Sequence, residues 1–489
     1  MPFSFQKSCL SLICFVSFAL FPLTTSQQSR ANDIKLPMLG DTTSGIVSLQ
    51  QEHELGRAWL KMFRSRVATL NDPLMQDYIE NLIYRLASHS ELMDRRLELI
   101  VINNPTMNAF AVPGGVVGVH TGLFLYAENE AQLSSVLAHE LAHLSQRHFA
   151  RNLANRKASS YTTMAGMLVG LILAATVGGD AGMAAMTMTQ ASAIDSGLRF
   201  SRQYEQEADR LGIDTLYRAD MDPNAVPAMF ERMLAATRYI GRRPPEFLLT
   251  HPLSEKRVAD ARGRTSKLPP RYYPDNLDYH LIRARALIAI DGNAQRSINR
   301  FKNELQGHSL STEAATYGLA LAQSAARQHK KARKNLQTLL DKSPQRFIYQ
   351  FAAIELDSAS ENFDDAFAAI DKLSSDYPGS YPLQTELAET LLQSRQYAKS
   401  EQVLEKLAQQ RPNDPNVWFE LAETSGLAGD IPGVHIARAE YYILTGVFGK
   451  AREQLRYARK LVRQDFKLTA VIDQRLVDLN VMEAKMKKL

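Results

Sequence analysis

Cysteine is almost absent: the chain has two in 489 residues, Cys9 and Cys14. Both sit in an apolar run, Cys9 to Leu23, that follows Lys7 and precedes the small residues Thr24-Thr25-Ser26. This layout is read as a secretory leader, residues 1–26, cleaved before Gln27. Ile13, before Cys14, is not the small residue a lipoprotein signal needs. The mature chain then contains no thiol. Disulfides, cysteine nucleophiles and cysteine-held structural zinc are excluded, so any metal must be held by histidine and carboxylate.

Long apolar runs are also missing. Cys9 to Leu23 is short against the roughly 20 residues of a membrane span. A second run, Met164 to Val177, stops at Gly178-Gly179-Asp180 and is shorter still. It reads either as a buried or partly exposed helix or as a flap facing substrate or membrane. The latter would be a peripheral membrane contact. Met164, Met167, Met183, Met186 and Met188 suit such an adaptable apolar surface. Charge of one sign is lacking too: the net charge is +5, and nothing global points to nucleic acid. The basic residues between Lys450 and Lys488 read as a solvated helix face.

Periodic patterns fill the rest. Ile46, Leu49, Leu55, Trp59, Leu60 and Phe63 recur at helical spacing over residues 44–64. Leu97 to Ile102 predicts a strand. Pro113-Gly114-Gly115 predicts a turn between two more, Asn108 to Val112 and Val116 to Val119. A helix is expected over 129–152. From Leu277 onward the chain reads as amphipathic helices with an internal repeat: Pro344, Pro378 and Pro412 recur every 34 residues. Twelve residues before each stands a small residue (Ala332, Ala366, Ser400), and three before that His329, Phe363 or Tyr397. This is the layout of tetratricopeptide repeats, helix pairs that stack into a solenoid for binding proteins. Ile431 and Phe448 are only 17 apart, one helix rather than a pair. The predicted fold is therefore α+β and mostly α. An N-terminal domain with a small sheet (27–270) is followed by an all-α repeat domain (276–489).

The helix over 129–152 carries His139-Glu140-Leu141-Ala142-His143. Residues four apart turn through about 400°, so His139 and His143 share one face and can grip one Zn²⁺. Glu140 can then reach the activated water and take its proton. A third ligand is needed. His148 is excluded, because on a continuing helix it points about 140° from His143. It is left as a solvated or supporting histidine. Glu205 and Asp209 are i and i+4 on another predicted helix, whereas Glu207 faces away. Glu205 is the expected third ligand, and Asp209 the carboxylate that steadies a ligand histidine.

The HELAH motif followed by Glu205-x-x-Ala208-Asp209 resembles the metallopeptidase family of the CAAX prenyl-protein proteases and the HtpX heat-shock protease. Asn108-Ala109-Phe110-Ala111 with Gly114-Gly115 is similar to that family, as is Thr250-His251-Pro252 with Arg257. The resemblance covers roughly residues 45–265. It implies one Zn²⁺ per chain held by His139, His143 and Glu205, with Glu140 as base. The membrane members' transmembrane helices have no counterpart, so prenylated substrates are not implied. His251 has three readings: a donor to the reaction's oxyanion, a displaceable fourth zinc ligand, or a structural histidine. Asn108, Ala109, Phe110 and Ala111 either pair with extended substrate or form an ordinary sheet edge.

A secretory leader, a peptidase of this family and C-terminal repeats together resemble the periplasmic quality-control proteases of Gram-negative bacteria. That resemblance implies unfolded or misassembled outer-membrane β-barrel proteins as substrates. It implies the barrel-assembly machinery and the lipopolysaccharide-transport barrel as partners. Assembly scaffolding through the repeats is the competing reading.

Overall fold

Ser48 opens the first helix of the computed structural model, in which residues 47–155, 201–239 and 246–486 are described. The expected leader and the apolar run 164–177 lie outside those residues. The Ser48 hydroxyl accepts from the Gln51 amide while the Gln51 side chain accepts from the Ser48 amide, a capping box that starts α1 (Leu49–Arg64). Leu55, Trp59, Leu60 and Phe63 form its buried face. Trp59 stacks on Phe63 at 4.9 Å, and both rings meet Phe110 of the sheet. Pro at the first turn and an Asp72 cap start α2 (Pro73–His89).

The sheet has three strands: β1 (Glu98–Ile102), β2 (Ala109–Val112) and β3 (Val116–His120), in the order β1-β3-β2. β2 and β3 form the expected hairpin. β1 runs parallel to β3. Gly114 takes φ +86 at the turn, and a Cβ there would lie 2.4 Å from the Glu52 carbonyl oxygen. The hairpin tip is thereby held against α1.

After the short α3 (Leu123–Tyr126), α4 (Glu130–Ser145) starts from an Asn129 cap and carries the HELAH segment. The continuous helix expected to 152 is broken. Arg147 adopts φ +51, in the left-handed region, and α5 (His148–Asn155) begins anew. The Arg147 guanidinium lies 3.1 Å from Glu52 and also donates to the Val47 carbonyl. Tertiary contacts thus hold a conformation that local preference opposes. α6 (Arg202–Arg218), capped by Ser201, packs on α4. Ala142, Ala208 and Leu211 bury together where they meet. A Cβ on Gly212 would stand 3.4 Å from the His139 amide nitrogen, at ordinary contact distance, so the two helices pass close at this point. Among the described residues, α7 (Ala225–Tyr239), α8 (Glu246–Thr250) and α9 (Glu255–Thr265) follow.

From Leu277 the chain is helical, as predicted. The second helices of three repeats begin at His329, Phe363 and Tyr397, the residues singled out by spacing. Ala332, Ala366 and Ser400 are fully buried where paired helices approach. Arg327, Glu361, Arg395 and Gly429 take positive φ at the same turn of successive repeats. The helices Ile431–Leu444 and Phe448–Leu461 follow at the shortened spacing. The repeats pack on the peptidase region. Arg285 bridges Asp72 and Glu355 at 2.7 Å each, and Arg411 reaches Glu80 at 2.7 Å. Arg64 donates to the Asn413 carbonyl, and Asn71 to Glu420. Among the described residues, no helix is long and apolar enough to cross a membrane.

Candidate metal centre

The Nε2 atoms of His139 and His143 lie 3.0 Å apart. Glu205, from the first turn of α6, places Oε2 3.5 Å from His139 Nε2 and Oε1 3.4 Å from His143 Nε2. His251, just after α8, places Nδ1 3.1 Å from Glu205 Oε1 and 3.3 Å from His139 Nε2. One ligand atom from each of these four residues lies within 4.8 Å of the other three, and all four are buried. The donor set is three imidazoles and a carboxylate. Two imidazole nitrogens at 3.0 Å repel through their lone pairs unless a proton or a cation stands between them. These residues therefore fit a divalent metal that prefers nitrogen and oxygen donors.

The surrounding groups hold these four in place. Asp209 Oδ1 lies 3.0 Å from His139 Nδ1. Arg257 clamps Asp209 with Nε and Nη2 at 2.7 Å each, and its Nη1 lies 2.7 Å from both Glu205 Oε2 and the Pro252 carbonyl. This buried arginine ties the two α6 carboxylates to the His251 loop. In the sequence it appeared only as part of a motif. Its position six residues after His251 is the available signal. Glu140 is buried, with Oε1 3.4 Å from His251 Nε2. It also accepts a hydrogen bond from the Ala111 backbone, so the outer edge of β2 runs past it. Ala109 and Ala111 lie on that strand. Phe110 turns its ring into the core against Trp59, and the Asn108 carbonyl is engaged by the His120 amide.

Electrostatics separate the two motif histidines. Burial opposes charge on His139, but Asp209 and Glu205 outweigh it and push it up to about 9. His143 is driven well below the usual imidazole range, chiefly by burial. Burial raises Glu140, opposed by His251 and His139. Burial would raise Glu205 and Asp209 too. For Glu205 the three histidines overcome it, and for Asp209 the hydrogen bonds of His139 and Arg257 do. His148 is not solvated. It is fully buried and pushed down to about 4, mainly by burial. The broken helix turns it back towards His143, and Glu207, expected to face away, meets it from α6.

Residues 73–265 match Peptidase family M48, and residues 358–422 match the tetratricopeptide repeat. The chain is similar to the beta-barrel assembly-enhancing protease of Escherichia coli (strain K12). The two are 35% identical over 453 residues, 92% of each chain. It is 33% identical to the putative beta-barrel assembly-enhancing protease of Vibrio cholerae, over 92% of this chain and 93% of that one. The mitochondrial metalloendopeptidase OMA1 of Schizosaccharomyces pombe is 36% identical over 181 residues, covering 37% of this chain and half of that protein. That match takes in too little of the chain to extend to the repeats. With similarity running nearly end to end in the first two cases, this chain is a metalloprotease and belongs to the beta-barrel assembly-enhancing protease family.

Proposed function

We propose that the chain is a zinc-dependent endopeptidase of the Gram-negative periplasm, acting in the quality control of outer-membrane β-barrel proteins. The observation that carries the chemistry is the convergence of His139, His143, Glu205 and His251 on one buried point beside Glu140. The relatives' names carry the connection to barrel assembly. His139, His143 and Glu205 would hold the ion, with Asp209 steadying His139. When bound, zinc supplies Lewis acidity that activates water and polarises the scissile carbonyl. Glu140 accepts the proton of the attacking water and delivers it to the leaving amine. A base raised by burial suits that task, since it holds a proton more readily than an exposed carboxylate. The β2 edge at Ala109 to Ala111 aligns an extended segment by backbone pairing, which favours unfolded chains over particular sequences. His251 lies against Glu140 and Glu205, in space a substrate carbonyl would need, and would have to move for substrate to enter. The leader (1–26), the peptidase domain (27–270) and the repeats (276–489) divide the labour. The leader directs export, and the repeats dock the barrel-assembly machinery and the lipopolysaccharide-transport barrel.

The closed site favours a second reading. With His251 buried against both Glu140 and Glu205, the resting molecule is poised to bind rather than to cut. Scaffolding through the repeats would then be its main work. Zinc content and casein cleavage of wild type and Glu140→Gln, together with barrel assembly in cells carrying that variant, separate the two. Full assembly without cleavage favours the scaffold. Loss of assembly with zinc retained favours the protease.

A further inference from the structure

Among the described residues, His148 is the buried histidine beside the centre that the mechanism above leaves without work. Its Nδ1 lies 2.9 Å from His143 Nδ1, and its Nε2 lies 3.1 Å from Glu207 Oε2. The ring stacks on Tyr204 at 4.6 Å, nearly parallel. Glu207 also accepts from Arg151 at 3.0 Å and is part-exposed, with 26% of its side chain open to solvent. The positive φ at Arg147 makes this arrangement possible. An unbroken helix would carry the imidazole to the far side of the axis.

Proton counting fixes the direction of these contacts. A carboxylate only accepts, so the hydrogen between His148 and Glu207 sits on His148 Nε2. A neutral His148 then presents a bare Nδ1, and the single hydrogen between the two Nδ1 atoms belongs to His143. That leaves His143 Nε2 without a proton, its lone pair aimed at the shared ligand point. Ligand histidines ordinarily give their second N–H to a carboxylate, carbonyl or water. Here the acceptor is another imidazole, itself oriented by a carboxylate on α6.

We propose that His148 and Glu207 form a positioning relay that sets the tautomer and ring orientation of His143 for metal binding. The inference rests on His143 being a ligand through Nε2. Both relay residues act through His143 and touch neither substrate nor reacting atoms.

The test uses the full-length chain and reads metal binding directly, as the Zn²⁺ dissociation constant by chelator competition and the visible spectrum of the Co²⁺-loaded form. His148→Phe keeps the stack on Tyr204 but removes the acceptor. Its Zn²⁺ affinity is expected to fall by about 10–100-fold, with altered Co²⁺ bands. His148→Asn, whose amide oxygen can take the place of Nδ1, should recover most of the loss. Glu207→Ala should weaken binding in the same direction, and the double variant with His148→Phe should cost less than the sum of the two singles. If folded His148→Phe and Glu207→Ala bind both ions as wild type does while His143→Ala does not, the relay is refuted and the ligand assignment survives. Retention of metal by His143→Ala would overturn the ligand assignment, and the relay with it. Should His148→Phe fail to fold, Glu207→Ala against His148→Asn decides: the relay requires the first to be the weaker binder, and equal wild-type affinity in both refutes it.

Discussion

His251 Nε2 lies 3.4 Å from Glu140 Oε1, while Nδ1 of the same ring lies 3.1 Å from Glu205 Oε1. A single side chain thus touches both the proposed base and the proposed third ligand. A substrate carbonyl needs the space this ring fills. His251→Ala is expected to raise casein cleavage by a factor on the order of 10, equivalent to about 1.4 kcal/mol of closure removed, with zinc content unchanged. Loss of cleavage instead would assign the ring to the oxyanion.

Glu140 is buried beside the four converging side chains without being one of them. Glu140→Gln keeps its shape and hydrogen bonding to Ala111 but cannot take a proton. Cleavage of casein should fall by about 10²–10⁴-fold while zinc stays bound. A variant that loses both zinc and cleavage would place Glu140 among the ligands.

Arg257 sets one buried positive charge against Glu205 and Asp209. Removing a single partner from a buried ion pair leaves the other charges uncompensated, at a cost of about 3–5 kcal/mol. Arg257→Ala should therefore melt well below wild type in EDTA, and bound zinc should recover part of the difference by neutralising the same carboxylates. Equal losses with and without zinc would mean that arginine and metal do not share those charges.

Glu386, on the repeat helix Tyr381–Gln393, is pushed up to about 8 by burial first and then by Glu355 and Glu389. The folded state holds this proton more tightly than the unfolded chain, whose carboxyl titrates near 4.5. Stability from this residue is complete below about 4.5 and declines as pH rises towards 8. Glu386→Gln mimics the protonated form. Its melting temperature should exceed wild type at pH 8 and match it at pH 5, by roughly 2–4 °C for each kcal/mol recovered. An equal shift at both pH values would point to altered packing.

Local pattern made most of the fold legible. The three strands follow β-branched runs and a Pro-Gly-Gly turn, and His329, Phe363 and Tyr397 mark helix starts because each repeat meets the same packing constraint. His139, His143, Glu205 and His251 converge on one buried point; spacing pairs the first two on one helix face, whereas the resemblance, not spacing, draws attention to His251. What escaped depends on distant partners. Nothing near Arg147 announces a break, because the left-handed turn is imposed by Val47 and Glu52, about a hundred positions earlier. Missing that break turned His148 the wrong way and left Glu207 without an evident partner. Arg285 meets Asp72 and Arg411 meets Glu80 across 213 and 331 positions, contacts that no local pattern marks.

Arg64 and Asn71 stand near the start of the described fold, yet the Asn413 carbonyl and Glu420 that engage them arrive 349 residues later. A ribosome completes the whole peptidase sequence long before it makes those partners. Contacts so far apart in sequence close late, because the entropy of the intervening chain opposes them. The seam therefore records the age of the molecule. A chain with its last repeats still missing leaves Arg64 and Asn71 without these partners, and any partner that draws those repeats away opens the same seam again.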